Sequence, residues 1–138
     1  TFAMIKPDAV ASGKLGKVID ATSQAGFSIK GGRLTLITRA QAEEFYAVHR
    51  ERPFYGELVD FMSSGQTFVM ALEKDNAVQA WRDTIGATDP AEAADGTIRK
   101  MYAENKGRNA VHGSDSDENA EKEIAFFFSG AEIIASNL

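Results

Sequence analysis

The segment Asn109, Ala110, Val111, His112, Gly113, Ser114, Asp115, Ser116 contains one of only two histidines in the chain. An imidazole set among small and polar residues lacks the hydrophobic neighbours that mark a packed side chain. Its ordinary pKa near 6.5 leaves a neutral, nucleophilic ring at physiological pH. Two readings stand on this run alone: His112 is a nucleophile, or it is a solvated loop histidine. Ser114 and Asp115 complete the residue types of a hydrolase triad, but all three crowd into one turn and no G-x-S-x-G elbow is present. The other histidine, His49, falls on an apolar helical face and reads as part of a core edge, a weak basis for a transition-metal site.

Two further motifs fail on inspection. Gly13 to Lys17 has the look of a phosphate loop, yet the leading glycine is missing and Val18 stands where Ser or Thr is required. Asp115, Asp117 and Asn119 alternate like calcium ligands, but Ala120 replaces the needed glycine and Phe126 occupies the position of the bidentate acid. These residues read instead as caps for the helix that follows, where negative charge complements the dipole.

The chain has 138 residues, enough to bury one core, so residues 1–138 are expected to form a single domain. Lys and Arg total 15 against 20 Asp and Glu, a net charge of −5, which lacks the footprint of a protein whose main partner is nucleic acid. The absence of cysteine excludes disulfide scaffolds, thiolate metal sites and cysteine catalysis, and fits a reducing compartment. No apolar run approaches membrane-spanning length and the start is unlike a signal peptide. A cytoplasmic protein is expected, with an upstream segment left open because the chain begins without Met.

The elements that must position these residues follow from periodicity. Residues 1–5 form a short apolar strand, closed by Lys6, Pro7 and Asp8 as a functional loop. From Ser12, a possible cap, Leu15, Val18, Ile19 and Thr22 recur at helical spacing up to Gly26. Residues 29–37 favour an extended segment, and Thr38 with Gln41 fits a capping box for a helix carrying Ala42, Phe45, Tyr46 and His49 on one face. Arg52, Pro53 and Phe54 break that pattern before a short helix at 58–62. Residues 67–72 form a nearly continuous apolar run, expected of a central strand covered on both faces. Asp75 caps a helix with Val78, Trp81 and Ile85, ended by Gly86. Residues 87–111 lose periodicity apart from a short helix at 97–102, and a long loop of this kind is usually functional. Residues 117–123 read as helix, and 124–128 as a strand. Alternation of this kind favours an α/β sandwich.

Four segments, IKPDAV, RPFYGELVDFM, IGATDPAEAADGTIR and GRNAVHGSDS, resemble the motifs of the nucleoside diphosphate kinase family in order and at matching spacing. The resemblance covers essentially the whole chain. It implies a ferredoxin-like α+β sandwich, a four-stranded antiparallel sheet covered by helices, with a long nucleotide-site loop. It also implies ping-pong transfer of the terminal phosphate of a nucleoside triphosphate to a nucleoside diphosphate. The partners implied are those nucleotides and further copies of the chain, as hexamer or tetramer; the alternative role is a nucleotide-binding regulatory or scaffold protein of the same fold.

By the same resemblance His112 carries the phosphate, with one ring nitrogen attacking while the other donates a hydrogen bond to Glu123, and Ser114 supports the cluster. Arg82, Arg99, Lys6, Thr88 and Tyr46 match phosphate-binding positions, Lys6 and Asn109 sugar-binding ones, and Phe54 the aromatic that stacks on the base. Mg2+ would come bridging the phosphates, with no direct protein ligand and Asp115 at its water shell. Read without the resemblance, Arg82, Arg99 and Glu123 are solvated charges and Tyr46 a core residue. Two departures stand out. Lys106 replaces an apolar residue opposite the stacking aromatic, so an alkyl stem would form that wall with its charge outside. Lys100 and Met101 follow Arg99 where a small residue and an acid are common, so the salt bridging of the loop should differ.

Overall fold

The computed structural model describes residues 1–134. Four strands, β1 (Phe2–Ile5), β2 (Ser28–Leu36), β3 (Gln66–Glu73) and β4 (Val111–Gly113), form one antiparallel sheet in the order β2-β3-β1-β4. The helices among the described residues are α1 (Pro7–Ala11), α2 (Leu15–Gln24), α3 (Arg39–Phe45), α4 (Tyr55–Met62), α5 (Ala77–Ile85), α6 (Ile98–Tyr102) and α7 (Asp117–Phe127). This is the ferredoxin-like α+β sandwich that the resemblance implies.

Side chains alternate across a strand, and in β1 and β3 both faces are apolar. Phe2, Met4, Val69 and Ala71 pack with Ala42, Val59, Met62 and Phe127 from α3, α4 and α7. Ala3, Ile5, Met70 and Leu72 pack with Val18, Trp81, Ile85 and Ile98 from α2, α5 and α6. Two interior strands buried on both sides explain why each reads as an unbroken apolar run. β4 pairs with β1 so that His112 lies opposite Met4, which brings the histidine segment beside the chain leaving β1 at Lys6.

Local chemistry sets most boundaries. Thr38 accepts from the Gln41 amide in a complete capping box, so α3 starts directly after β2. Elsewhere the structure corrects the expectations. Pro7 is the first residue of α1, where its missing N–H costs nothing, so the expected loop is a helical turn. Ser12 closes α1, and α2 begins only at Leu15. Asp75 does not cap α5; Asn76 does the turning, with φ 52. The stripe from Ala42 to His49 is split, α3 ending at Phe45 and Ala47–His49 forming a 3-10 turn.

Residues 124–128 are not a strand: α7 runs to Phe127, with Ala120 and Phe127 buried toward the sheet. A short apolar run suits a helix face and a strand equally. Ser116, rather than its acidic neighbours, accepts from the Asn119 amide to cap that helix, while Asp117 and Glu118 occupy the first turn. The fourth strand is β4 itself, three residues long and too short to show alternation, so His112 sits on a strand and not in a loop.

Candidate active site

β4 presents His112 between two supports. The Trp81 Nε1–H of α5 donates to the His112 carbonyl at 3.1 Å, and Gly113 permits that approach, since a Cβ there would lie 2.6 Å from Trp81 Cδ1. On the other side α7 delivers Glu123, whose Oε1 accepts from His112 Nε2 at 2.8 Å and from the Ser114 hydroxyl at 2.9 Å. A carboxylate only accepts, so the proton is on Nε2 and the lone pair on Nδ1. Phe2 and Phe45 pack against the imidazole at centroid distances of 5.9 and 5.7 Å.

His112 lines a cavity of about 520 Å³ together with Arg82, Gly86, Thr88, Thr97 and Arg99. Arg82 projects from α5 and is exposed, whereas Arg99 on α6 is buried. Arg99 donates to the carbonyls of Asn109, Gly86 and Val111 at 3.3, 3.0 and 2.9 Å, stapling the long loop to both ends of the site. Burial, then repulsion from Arg82, brings its pKa down to about 10. Among the described residues neither arginine has a carboxylate partner. Two guanidinium groups held near each other, with Asp115 close enough to feel the Arg82 charge but not paired with it, form a ready anion site.

A second cavity of about 630 Å³ adjoins, sharing Thr88 and lined further by Lys6, Phe54, Leu58, Phe61 and Lys106. Phe54, at the start of α4, is 47% exposed and is backed by the His49 ring at 5.3 Å, so His49, expected at a core edge, is half-buried and buttresses Phe54. Lys106 contributes from the loop, as its departure from the family pattern leads one to expect. Lys6 Nζ donates to Asn109 Oδ1 at 2.9 Å, and Asn109 Nδ2 to the Thr88 carbonyl at 3.3 Å. Burial and the Arg99 charge push the Lys6 pKa down to about 8, with Asp8 acting against them.

Nine of the ten candidate residues thus gather around these two cavities and the Glu123 cluster. Tyr46 lines neither cavity: it packs beneath Phe45, and its buried hydroxyl lacks a partner among the described residues. Burial, and secondarily the Glu123 charge, raises its pKa. Lys100 and Met101 are exposed, and Lys100 forms no ion pair among the described residues, which leaves Arg99 to hold the loop. The sequence reading missed Leu58 and Phe61, seen only as a helix stripe, and Arg108, whose guanidinium lies 5.4 Å over Phe61. Asp8, expected in the functional loop after β1, is instead a buried acid in the first turn of α1.

A cavity charged for an anion, joined through one threonine to a slot with an aromatic wall, belongs to the class of nucleotide phosphotransferases. The family model for nucleoside diphosphate kinase matches residues 1–133. A nucleoside diphosphate kinase of Chlorobium luteolum is 58% identical over 137 residues, covering 99% of this chain and 98% of the relative. The crystal structure of the Aquifex aeolicus nucleoside diphosphate kinase superposes with a TM-score of 0.94 at 48% identity, covering 96% of each chain. That of the Halobacterium salinarum enzyme, solved in complex with CDP, gives 0.92 at 39%, covering 97% of this chain and 90% of that one. The chain belongs to the nucleoside diphosphate kinase family, enzymes that move the terminal phosphate of a nucleoside triphosphate to a nucleoside diphosphate. No helix of the described residues is long and apolar enough to cross a membrane.

Proposed function

We propose that His112 Nδ1 carries the phosphate in a two-step exchange. The observation behind this reading is the engagement of Nε2 by Glu123 in a ring that lines the same cavity as Arg82, Arg99 and Thr88. In the first step the Nδ1 lone pair attacks the terminal phosphorus, the N–P bond forms as the P–O bond to the diphosphate breaks, and the departing diphosphate oxygen takes the electron pair. Glu123 steadies the positive ring, with Ser114 on the same oxygen. In the second step a terminal oxygen of another nucleoside diphosphate attacks the phosphorus and the pair returns to Nδ1. There is little covalent work for the protein beyond this, so positioning and charge dominate.

Arg82, Arg99 and Thr88 bind the phosphates; Lys6 serves both phosphate and sugar, and Asn109 the sugar hydroxyls. Tyr46, buried against Phe45 and within the field of the Glu123 carboxylate, acts on the cluster from behind and not from the phosphate cavity. The base stacks on Phe54, and because every base has a π face the specificity is broad. The group that fits a Mg2+ brought in by the nucleotide is Asp115, an exposed carboxylate that interacts with Arg82 of the phosphate cavity. A bound Mg2+ would supply charge neutralisation to the nucleotide phosphates, and the exposed carboxylate of Asp115 would be the chain's group to hold a water of that ion.

The whole of residues 1–138 acts as one cytoplasmic domain that assembles into a homo-oligomer, hexamer or tetramer. The edge strand β2 supports assembly, since Leu34 and Leu36 stand 45% and 63% exposed on it, and uncovered apolar edges invite pairing. Initial rates with ATP and varied GDP test the function: parallel double-reciprocal lines are expected. Intersecting lines would contradict the two-step route, and nucleotide binding without exchange would favour a scaffold role.

A further inference from the structure

We propose that Asp8 is a positioning residue for phosphate transfer: its buried carboxylate holds the Ala110 peptide in a strained turn that sets Asn109 and His112 in place. This rests on the nucleotide reading above.

Ala110 has φ 70, a left-handed conformation that L side chains avoid and glycine adopts freely. The Val111 amide donates to the Asn109 carbonyl at 2.8 Å, closing an i to i+2 ring around Ala110. Together these define the rare, strained hand of the γ-turn. Such a residue persists only where its surroundings over-determine it, and Ala110 is fully buried. Its N–H donates to Asp8 Oδ2 at 3.0 Å and its carbonyl accepts from the Lys6 amide at 2.8 Å. Arg99 holds the carbonyls on either side, of Asn109 and Val111. Of these holders Asp8 is the side chain that lines neither nucleotide cavity.

Asp8 is costly to keep where it is. It is 6% exposed, and its second oxygen, Oδ1, is buried with no partner among the described residues, although a carboxylate removed from water normally fills its acceptors. A place in the first turn of the five-residue helix α1 would account for an exposed Asp, not for a sealed one. What the carboxylate secures is the peptide between two site residues. Asn109 bridges Lys6 Nζ and the Thr88 carbonyl, and His112 follows two residues after Ala110. Releasing Ala110 therefore displaces the sugar contact and the nucleophile together.

The test uses the full chain with Asp8→Ala and Asp8→Asn, each alone and combined with Ala110→Gly. Turnover, KM and the rate of His112 phosphorylation are measured, with thermal unfolding in parallel. Asp8→Ala is expected to lower kcat roughly tenfold or more, since misplacing reacting groups by about 1 Å costs on the order of 10²-fold. Adding Ala110→Gly should recover at least about threefold, because glycine takes the positive φ without a Cβ clash. A purely structural Asp8 would lower the melting temperature, leave kcat of the folded protein unchanged, and show no rescue in turnover. A kcat within twofold of wild type in Asp8→Ala, or no recovery in the double variant, would overturn the proposal. Should Asp8→Ala fail to fold, the Asp8→Asn pair reads the same rescue, since the amide oxygen is a weaker acceptor, and no recovery there overturns it equally. Wild type run alongside separates the two readings. An unlabelled wild type overturns the phosphohistidine reading and this proposal with it, whereas a labelled wild type with unrescued variants overturns this proposal alone.

Discussion

Replacement of Glu123 tests how the imidazole is activated. Its Oε1 accepts from His112 Nε2 at 2.8 Å and from Ser114 at 2.9 Å, and once Nδ1 bears the phosphate the ring is positive, so the first bond joins opposite charges. Hydrogen bonds to charged groups contribute about 1.5–3 kcal/mol against about 0.5–1.5 for neutral ones. Glu123→Gln keeps the size and loses the charge, a deficit of about 1–1.5 kcal/mol, or roughly tenfold in turnover. Glu123→Ala loses the whole bond and strands the Nε2 proton, a cost of about 2–3 kcal/mol, on the order of 10²-fold. The two side chains are 20% and 21% exposed, so water softens both numbers without erasing them. Rapid-quench measurement of acid-labile phosphate gives the rate of the first half-reaction, and KM for the nucleotide should stay put, because Glu123 lines neither cavity. A loss under threefold in Glu123→Ala, or a change confined to KM, would refute the reasoning.

Arg82→Ala should lower turnover on the order of 10²-fold, as for one preorganised transition-state donor, and Arg82→Lys should restore only part of it, because a point charge lacks the planar fork; a change under threefold in kcat would mean that the phosphate clamp is misassigned. Lys6 has its pKa brought down to about 8, so its cation is present below that pH and lost above it. The value of kcat/KM for a nucleoside diphosphate should accordingly fall as pH rises through about 8, with the limb removed in Lys6→Arg; a wild-type profile that stays flat through this region would contradict the assignment. Lys106 lines the slot that Phe54 walls, and if its ammonium turns in from the rim it would donate to the carbonyl edge of guanine and meet the amino group of adenine unfavourably. Lys106→Val should reduce the GDP-over-ADP ratio of kcat/KM by about twofold to fivefold, the worth of an exposed polar contact; an unchanged ratio would show that the charge does not reach the base.

The sheet was legible where burial is two-sided or capping is explicit: residues 67–72 and the Thr38 box needed nothing beyond pattern. The error at 124–128 came from a run too short to separate a helix face from a strand, and it hid β4, because three residues leave no period to read. The site was legible as chemistry only at His112. Glu123, Arg82 and Arg99 carry no local mark, since an isolated charge on a helix is ordinarily solvated; their meaning comes from tertiary placement, which the family resemblance supplied and no spacing could. The burial of Asp8 and the conformation of Ala110 were invisible for the same reason. A buried acid and a positive φ are properties of packing between segments a hundred residues apart, and Lys-Pro-Asp read alone is a turn.

The central claim is that His112 carries the phosphate on Nδ1. Brief incubation of the chain with a nucleoside triphosphate, removal of nucleotide and phosphorus NMR of the protein measures it directly. One acid-labile phosphate on Nδ1 of His112, discharged by a nucleoside diphosphate and absent from His112→Ala, is predicted. Phosphate on Nε2, on another residue, or retained in His112→Ala would contradict the account.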